Sequence, residues 1–473
     1  MKIKVMKFGG SLVASPHGIS RIADLVVRSK REGSEVVAVV SALGEVTELL
    51  LQLAQEAVDN DTKRIAQNIA ELRLIHTSAI GQTSLKPEEK RALNRTTGKA
   101  LEELKRTLLG VSALGELSPR SRDLILSFGE RLSAPILAAE IEGRRFRAPS
   151  LTGGEAGIVT DRSFGEAIPN STATNKAVKK SLLARLAAGE VPVVAGFIAR
   201  STDGEVTTLG RGGSDYSATL LGAALKAEEV WIWTDVDGIL SADPRIVKGS
   251  APVKRLSYPE AEELAFFGAK NMHPLALGPA RTNRIPVRIK NGFRPDFLGT
   301  LITDRETKRE GIIKAVAVVR NVGLLTVAGE TLQGRPGIAA LVFSALASAG
   351  VNILMISQSV SEANISMIVR RSSIHTAERT LKRQLKKEGI EVVLESDSRV
   401  AVVAAVGAGM RGEKGVAARV FGAVAGRGIN VRMIAQGSSE MNISFVVDER
   451  DADEAVRAIH MKAVQPKARK KSG

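Results

Sequence analysis

The strongest constraint on the fold is a repeat in the last third of the chain. Residues 334–369, GRPGIAALVFSALASAGVNILMISQSVSEANISMIV, align without gaps on residues 412–447, GEKGVAARVFGAVAGRGINVRMIAQGSSEMNISFVV. The offset is 78, and 19 of the 36 aligned positions are identical. Each copy reads as strand, Gly-rich loop, helix, strand, strand, helix. The first copy closes with the strand EVVLES (391–396), whereas the second runs out after the helix near Asp451–His460. An extra strand, IKAVAVV (313–319), precedes the first copy and is expected to complete the sheet of the second. Two interlocked small domains follow from this: one over 323–397, the other over 313–319 plus 398–464, with a basic tail at 465–473.

The part up to about residue 300 has a different rhythm. IKVMKF (3–8) reads as a strand, GISRIADLVVRSKR as a helix and EVVAVVSAL as a buried strand. Residues 45–110 read as helical, with polar breaks near Asp59–Asp61 and Gly81–Pro87. Strand signals resume at PVVAGFIA (192–199), VWIWTDV (230–236) and IPVRIKN (285–291), with a helix after Ser214. Strands separated by helices imply a mostly parallel sheet covered on both faces.

Composition narrows the function classes. The 473 residues contain no cysteine, which excludes disulfides, thiolate metal sites and thiol catalysis. No apolar run approaches the ~18 residues needed to span a bilayer, and Lys2, Lys4 and Lys7 interrupt the early apolar residues. A cytoplasmic protein with no membrane partner is expected. The formal charge of +16 suggests nucleic acid, but aromatic content is 3% and the cations are dispersed apart from Lys467–Lys471. With few stacking platforms, a basic surface around an anion-handling enzyme is the better reading, and no nucleic-acid partner is expected.

Two glycine turns carry the chemistry. KFGGS (7–11) puts a lysine and a tight turn at the end of the first strand. TTLGRGGSDYSATLLGAAL (207–225) puts Arg211, two glycines, Ser214 and Asp215 ahead of an apolar helix, which Ser214 or Asp215 is expected to cap. Neither is a P-loop, because GxxxxGK[ST] is absent. Together they predict a phosphate or carboxylate site. Thr234 and Asp235 fall at the C-terminal end of a buried strand, where α/β sheets bind ligands.

These motifs, with VVSALGEVTELL (39–50), SFGERLSA (127–134), WTDVDGILSADPR (233–245) and FGAKNMHP (267–274), resemble those of the aspartate kinases. That family combines an amino-acid-kinase-type α/β fold, a mostly parallel sheet sandwiched by helices, with two ferredoxin-like βαββαβ ACT domains. Residues 1–300 are then the catalytic domain. The resemblance implies phosphorylation of the β-carboxylate of L-aspartate by ATP, giving 4-phospho-L-aspartate. This is the first step of lysine, threonine and methionine biosynthesis. An acceptor carboxylate is already ionised at neutral pH, so no general base is needed. The site must instead hold two anions together and neutralise the transferring group.

By the same resemblance, Lys7, Arg211 and Asp215 are catalytic. Ser41, Thr47, Glu130, Arg211, Gly213 and Ser214 bind aspartate, Glu130 holding its ammonium from an expected helix start. Lys7, Gly9, Gly10, Ser11, Thr234, Asp235, Leu240, Arg245, Lys270 and Asn271 bind ATP. Mg²⁺ is implied through the ATP phosphates, with no dedicated protein metal site, and His273 is taken as structural. Asn352, Gln358 and Asn364, and Asn430, Gln436 and Asn442 in the second repeat, are candidate contacts for an effector amino acid. Leu354 and Arg432 offer no acid for a lysine side chain, which favours threonine as the inhibitor. Paired ACT domains imply at least a homodimer. Three residues depart from the family pattern: Leu12, Glu48 and Leu240. The open alternatives are a kinase of the same fold acting on N-acetylglutamate, glutamate or UMP, and a non-catalytic amino-acid sensor.

Overall fold

The computed structural model describes residues 1–15, 17–267, 274–306, 311–329, 332–361 and 364–464. Lys270, Asn271, His273 and the tail at 465–473 lie outside them. The described residues of Met1–Ile239, Lys254–Tyr258 and Asn271–Arg305 form one compact unit, and those of Leu240–Val253, Pro259–Lys270 and Glu306–Gly473 form another.

The first unit is built on β1 (Ile3–Phe8), β2 (Glu35–Val40), β3 (Ser150–Thr152), β5 (Val193–Ala195), β8 (Glu229–Thr234), β9 (Arg255–Ser257), β10 (Val287–Asn291) and β11 (Thr300–Thr303). They join in the order β3-β5-β2-β1-β8-β10-β11-β9. All neighbours are parallel except β10 and β11. Helices α1 (Gly10–Val13), α2 (Gly18–Arg31), α3 (Val46–Val58), α4 (Thr62–Gly81), α5 (Pro87–Leu114), α6 (Pro119–Glu142), α7 (Gly153–Ala156), α8 (Ser171–Ala187), α9 (Gly213–Leu225) and α11 (Gly278–Thr282) connect or cover them. The β1 and β2 runs are almost wholly buried, as expected of parallel strands covered on both faces. Helix α6 is buried along most of its length and packs into the same apolar core as α2, α3 and α5.

One strand expectation needs correction. PVVAGFIA is not continuous: β5 ends at Ala195, and β6 (Ile198–Ser201) belongs to a small second sheet with β4 (Val159–Thr160) and β7 (Val206–Thr208). The break is at Phe197, which takes a φ of 65°. Its N–H donates to Ser217 Oγ at 3.0 Å and its carbonyl accepts from Leu209 N–H at 3.0 Å. These bonds redirect the backbone out of the parallel sheet.

The second unit contains the repeats. Between α10 (Tyr258–Phe266) and the end come β12 (Ala315–Ala328), α12 (Ile338–Ser348), β13 (Ile353–Gln358), β14 (Asn364–Arg370), α13 (Ile374–Lys387), β15 (Val393–Val406), α14 (Val416–Ala425), β16 (Met433–Ala435), β17 (Asn442–Asp448) and α15 (Ala452–Ile459). The six strands form one antiparallel sheet in the order β13-β14-β12-β15-β17-β16. Strands β12 and β15 are 14 residues each and serve both repeats. Val322–Ala328 lies between β14 and β15, and Ala315–Val319 runs against Val402–Val406. Each repeat nevertheless has its own core, one around Leu325, Met367 and Leu381, the other around Val403, Val420 and Phe445. Arg371 and Glu449, equivalent positions in the two repeats, form an ion pair at 2.7 Å.

Because β12 and β15 each contribute to both cores, a chain cut at residue 398 separates strands from the helices they support. Fragments 313–397 and 398–464 expressed apart should lack cooperative thermal unfolding by circular dichroism, and should recover it on mixing. Independent cooperative melting of either fragment would contradict the shared-sheet account.

Candidate active site

The site is assembled where parallel strands end. Lys7 is the penultimate residue of β1, in register with Val39 of β2 and Ile232 of β8. Its ammonium meets Asp215 Oδ1 at 2.5 Å, with the side chains only 11% and 7% exposed. Asp215 lies in the first turn of α9. The helix begins after Gly212, whose φ of 67° is left-handed and suits glycine, and no side chain caps it. This corrects the expected cap: Ser214 and Asp215 are inside the helix, so Asp215 is available to Lys7. The amides of Gly213 and Asp215 bond back to Gly210 and Gly212 carbonyls. Arg211 is exposed and has no acidic partner among the described residues.

The two loops beside β1 and β2 interleave. Gly9 N–H donates to the Trp233 carbonyl at 3.1 Å, and Gly44 N–H donates to the Gly10 carbonyl at 3.1 Å. A Cβ on Gly10 would stand 2.9 Å from the Ala42 carbonyl oxygen, so only glycine permits this approach. Ser11 is exposed just beyond. Ser41 N–H donates to the Phe8 carbonyl at 3.2 Å, and the Ser41 carbonyl accepts from Ser133 Oγ at 2.8 Å. Thr47 is half-buried in the first turn of α3.

Glu130 is placed differently from its sequence expectation. It sits in the middle of α6, not at a helix start, because the apolar pattern of the helix begins a full three turns earlier, at Pro119. The side chain is buried. One oxygen accepts the Ala42 N–H at 3.1 Å and the other has no partner. Desolvation pushes its carboxyl up to about 8; the Ala42 bond and the charge of Lys7 oppose the rise without cancelling it. A buried carboxyl with an orphaned oxygen is a ready receptor for a cation.

The strand end at β8 supplies a second cluster. Thr234 Oγ1 donates to Asp235 Oδ1 at 3.1 Å, and Asp235 is exposed. Asp237 accepts from Asn291 Nδ2 at 2.8 Å and pairs with Arg294. Leu240 and Arg245 fall in the other compact unit, where Leu240 bridges to Pro252. Arg245 is engaged by Asp243 through Nε–Oδ1 at 3.0 Å and Nη2–Oδ2 at 2.6 Å. The structure thus gathers Lys7, Gly9, Gly10, Ser41, Glu130 and Asp215 around one set of strand ends.

Three organising residues were absent from the sequence reading. Asp123 is buried and accepts from Thr208 N–H and Oγ1 at 2.9 and 2.8 Å and from Gly165 N–H at 3.0 Å. It thereby anchors β7 immediately ahead of the Arg211 turn. Its spacing of seven from Glu130 puts both on one helix face, a signal that was readable. Ser133 falls one turn beyond Glu130. Asn291, beside Thr234 in register, carried no local signal.

Geometry and fold define a class: an amino-acid-kinase catalytic body, anion-binding at its strand ends, joined to paired ACT units. Comparison agrees. The model of the amino acid kinase family matches residues 2–291, and the ACT domain model matches 325–385 and 403–462. Aspartokinase 1, chloroplastic, of Arabidopsis thaliana is 36% identical, covering 96% of this chain and 79% of that protein. The crystal structure of E. coli aspartokinase III with aspartate and ADP (R-state) superimposes with a TM-score of 0.83 at 30% identity, covering 98% of this chain and all of that one. The same enzyme with lysine and aspartate (T-state) gives 0.78 at 30% identity and the same coverage. The chain belongs to the aspartokinase family and is a kinase. No helix among the described residues is long and apolar enough to cross a membrane.

The raised Glu130 carboxyl sets a pH dependence. Glu130 must ionise to hold an ammonium, so below about pH 8 substrate binding has to displace a proton. The KM for an amino-acid substrate should fall as pH rises from 6 to 8, by up to about tenfold per unit. Glu130→Gln should flatten that dependence and raise KM by roughly tenfold or more. A pH-independent wild-type KM would remove Glu130 from the ammonium site. For stability the sign is opposite: the native state holds a proton that the unfolded state loses above pH 4.5, so this group destabilises the fold progressively between pH 4.5 and 8.

Proposed function

We propose that the chain transfers the γ-phosphoryl group of ATP to the β-carboxylate of L-aspartate, the entry step to lysine, threonine and methionine synthesis. The observation that carries this reading is the near-buried Lys7–Asp215 contact beside the uncompensated Glu130 carboxyl. It provides a cation for phosphate and an anion for ammonium in one corner, with no histidine among the candidate groups. That is the polarity a doubly anionic reaction with an ammonium-bearing acceptor requires. The E. coli enzyme holding aspartate and ADP supports the same assignment.

In this mechanism Lys7 neutralises the transferring phosphoryl group, while the loop amides of Gly9, Gly10 and Ser11 cradle the nucleotide phosphates. Arg211 grips the α-carboxylate of aspartate as a planar guanidinium can. Gly213 and Ser214 donate to the same ligand, Ser41 and Thr47 line it, and Glu130 fixes its ammonium. Asp215 keeps Lys7 charged and aimed. Thr234, Asp235 and Leu240 are proposed for the adenosine end, with Arg245, Lys270 and Asn271 for the phosphates. The donor set near Lys7, one paired carboxylate among hydroxyls and amides, suits a Mg²⁺ held mainly by the nucleotide. When bound, Mg²⁺ would supply further charge neutralisation.

The ACT repeats are proposed to take an end-product amino acid, threonine in preference to lysine. At the matching turns stand Leu354 and Arg432, and Arg432 already satisfies Asp397 and Asp448 at 3.0 and 2.9 Å. That leaves no carboxylate there for a lysine ammonium. Asn352, Gln358 and Asn364, with Asn430, Gln436 and Asn442 in the second repeat, are the proposed contacts. A homodimer or larger assembly formed through the ACT units, in the cytoplasm, belongs to the same proposal.

Two measurements test the reading. Aspartate-dependent ADP release should fall about a hundredfold or more in Lys7→Ala, with the fold retained by circular dichroism; undiminished turnover would exclude Lys7 from phosphoryl transfer. Threonine should inhibit the wild-type reaction more strongly than lysine, and inhibition by lysine alone would reverse the effector assignment.

A further inference from the structure

The repeats correspond residue by residue, so each position in one can be set against its counterpart 78 residues away. In the second repeat the loop Gly407–Met410 precedes α14, and α10 delivers two carboxylates to that repeat. Glu260 is buried; its Oε1 accepts the Ala408 N–H at 2.6 Å and its Oε2 meets Lys314 Nζ at 2.9 Å, with the pair 0% and 1% exposed. Three residues along the same helix, Glu263 accepts a hydrogen bond from the side-chain amide of Asn442, the first residue of β17. A loop N–H and an Asn amide are thus already occupied by carboxylates of the same chain.

The first repeat differs. Asn364, counterpart of Asn442 and first residue of β14, makes no side-chain hydrogen bond among the described residues. The counterpart of Ala408 is residue 330, outside them. Chemically, the carboxylate of a free amino acid seeks the donors that Glu260 and Glu263 engage, a main-chain N–H and a carboxamide. Lys314 makes the internal contact durable, because it compensates a carboxylate that would otherwise be buried unpaired. Gly407 and Gly409 hold the loop close: Cβ atoms there would stand 2.4 Å from the Ile312 carbonyl oxygen and 2.7 Å from that of Gly311.

We propose that α10 is a built-in ligand of the second repeat, Glu260 and Glu263 occupying its loop amide and Asn442, so that a free amino-acid effector enters at the first repeat alone. The proposal rests on the reading of the ACT repeats as effector sites and assigns the two copies different tasks. The first repeat senses, through Asn352, Gln358 and Asn364. The second is held closed by its own chain and keeps α10 in place.

Isothermal titration of the full-length protein with threonine, and separately with lysine, tests this. The expected result is one molecule per chain, with affinity reduced at least tenfold by Asn364→Ala and unchanged by Asn442→Ala. In the combined variant Glu260→Met, Glu263→Ala, Lys314→Met, which removes both carboxylates without stranding the buried ammonium, the stoichiometry should rise to two. Should that variant fail to fold, amide exchange on the native chain decides instead: Ala408 should be equally protected with and without effector. Two molecules per wild-type chain, loss of binding in Asn442→Ala with Asn364→Ala silent, a folded triple variant that still binds one, or effector-dependent protection of Ala408 would overturn the proposal. Absence of binding of either amino acid to a chain that phosphorylates aspartate would instead remove the effector reading itself, and the proposal with it.

Discussion

A lysine at the end of a buried parallel strand needs an anion, and in this protein Asp215 supplies one from the first turn of α9. The catalytic unit is organised around that contact. In water a single ion pair is weak, but in a nearly dry corner its field is screened far less and its geometry is fixed. The pairing requires α9 to start at a left-handed glycine, without a capping side chain that would divert Asp215. It also requires the Gly10 and Ala42 backbones to lie close enough to enclose the lysine. Glu130 completes the arrangement by opposition: it is buried within reach of Lys7's charge, yet desolvation dominates and leaves it poised near neutrality. Positive and negative receptors thus coexist without collapsing onto each other, because Lys7 already has its partner.

Support for this corner comes from residues that touch no proposed substrate atom. Asp123, Gly129, Glu130 and Ser133 lie along α6 and clamp, respectively, β7, the Ala42 methyl, the Ala42 amide and the Ser41 carbonyl. One buried helix therefore sets the positions of both loops that flank the strand ends. Such an arrangement suits a reaction that depends on holding like-charged partners in register.

The second unit uses burial in another way. Its two long strands give each repeat a core, yet those cores also include chain from outside the repeats. Ala242 packs in the apolar cluster of the second repeat, and Ser241 Oγ lies 2.8 Å from His460 Nε2. The Lys314–Glu260 pair is almost fully buried. Replacing either partner alone would strand the other charge, whereas an isosteric apolar exchange of both need not be costly. Segments 240–253 and 259–270 are consequently part of this unit, although they stand between catalytic strands in the sequence.

Much of this was legible in the chain itself. Alternating apolar runs identified the strands of the parallel sheet, the 78-residue repeat announced paired ACT units, and the glycine turns located Lys7, Arg211 and Asp215. Those signals are local: periodicity, turn chemistry and charge within a few residues. What tertiary structure alone decided involves groups distant in sequence that burial forces to satisfy one another. Glu130 became a raised, half-satisfied carboxyl only because α6 continues past it and Ala42 packs against it. Asp123, Asn291 and Glu260 became organisers only when folding placed Thr208, Asp237 and Lys314 beside them. A sequence pattern states which residues avoid water; which polar groups must then find each other depends on where the chain returns, and that is a property of three-dimensional packing.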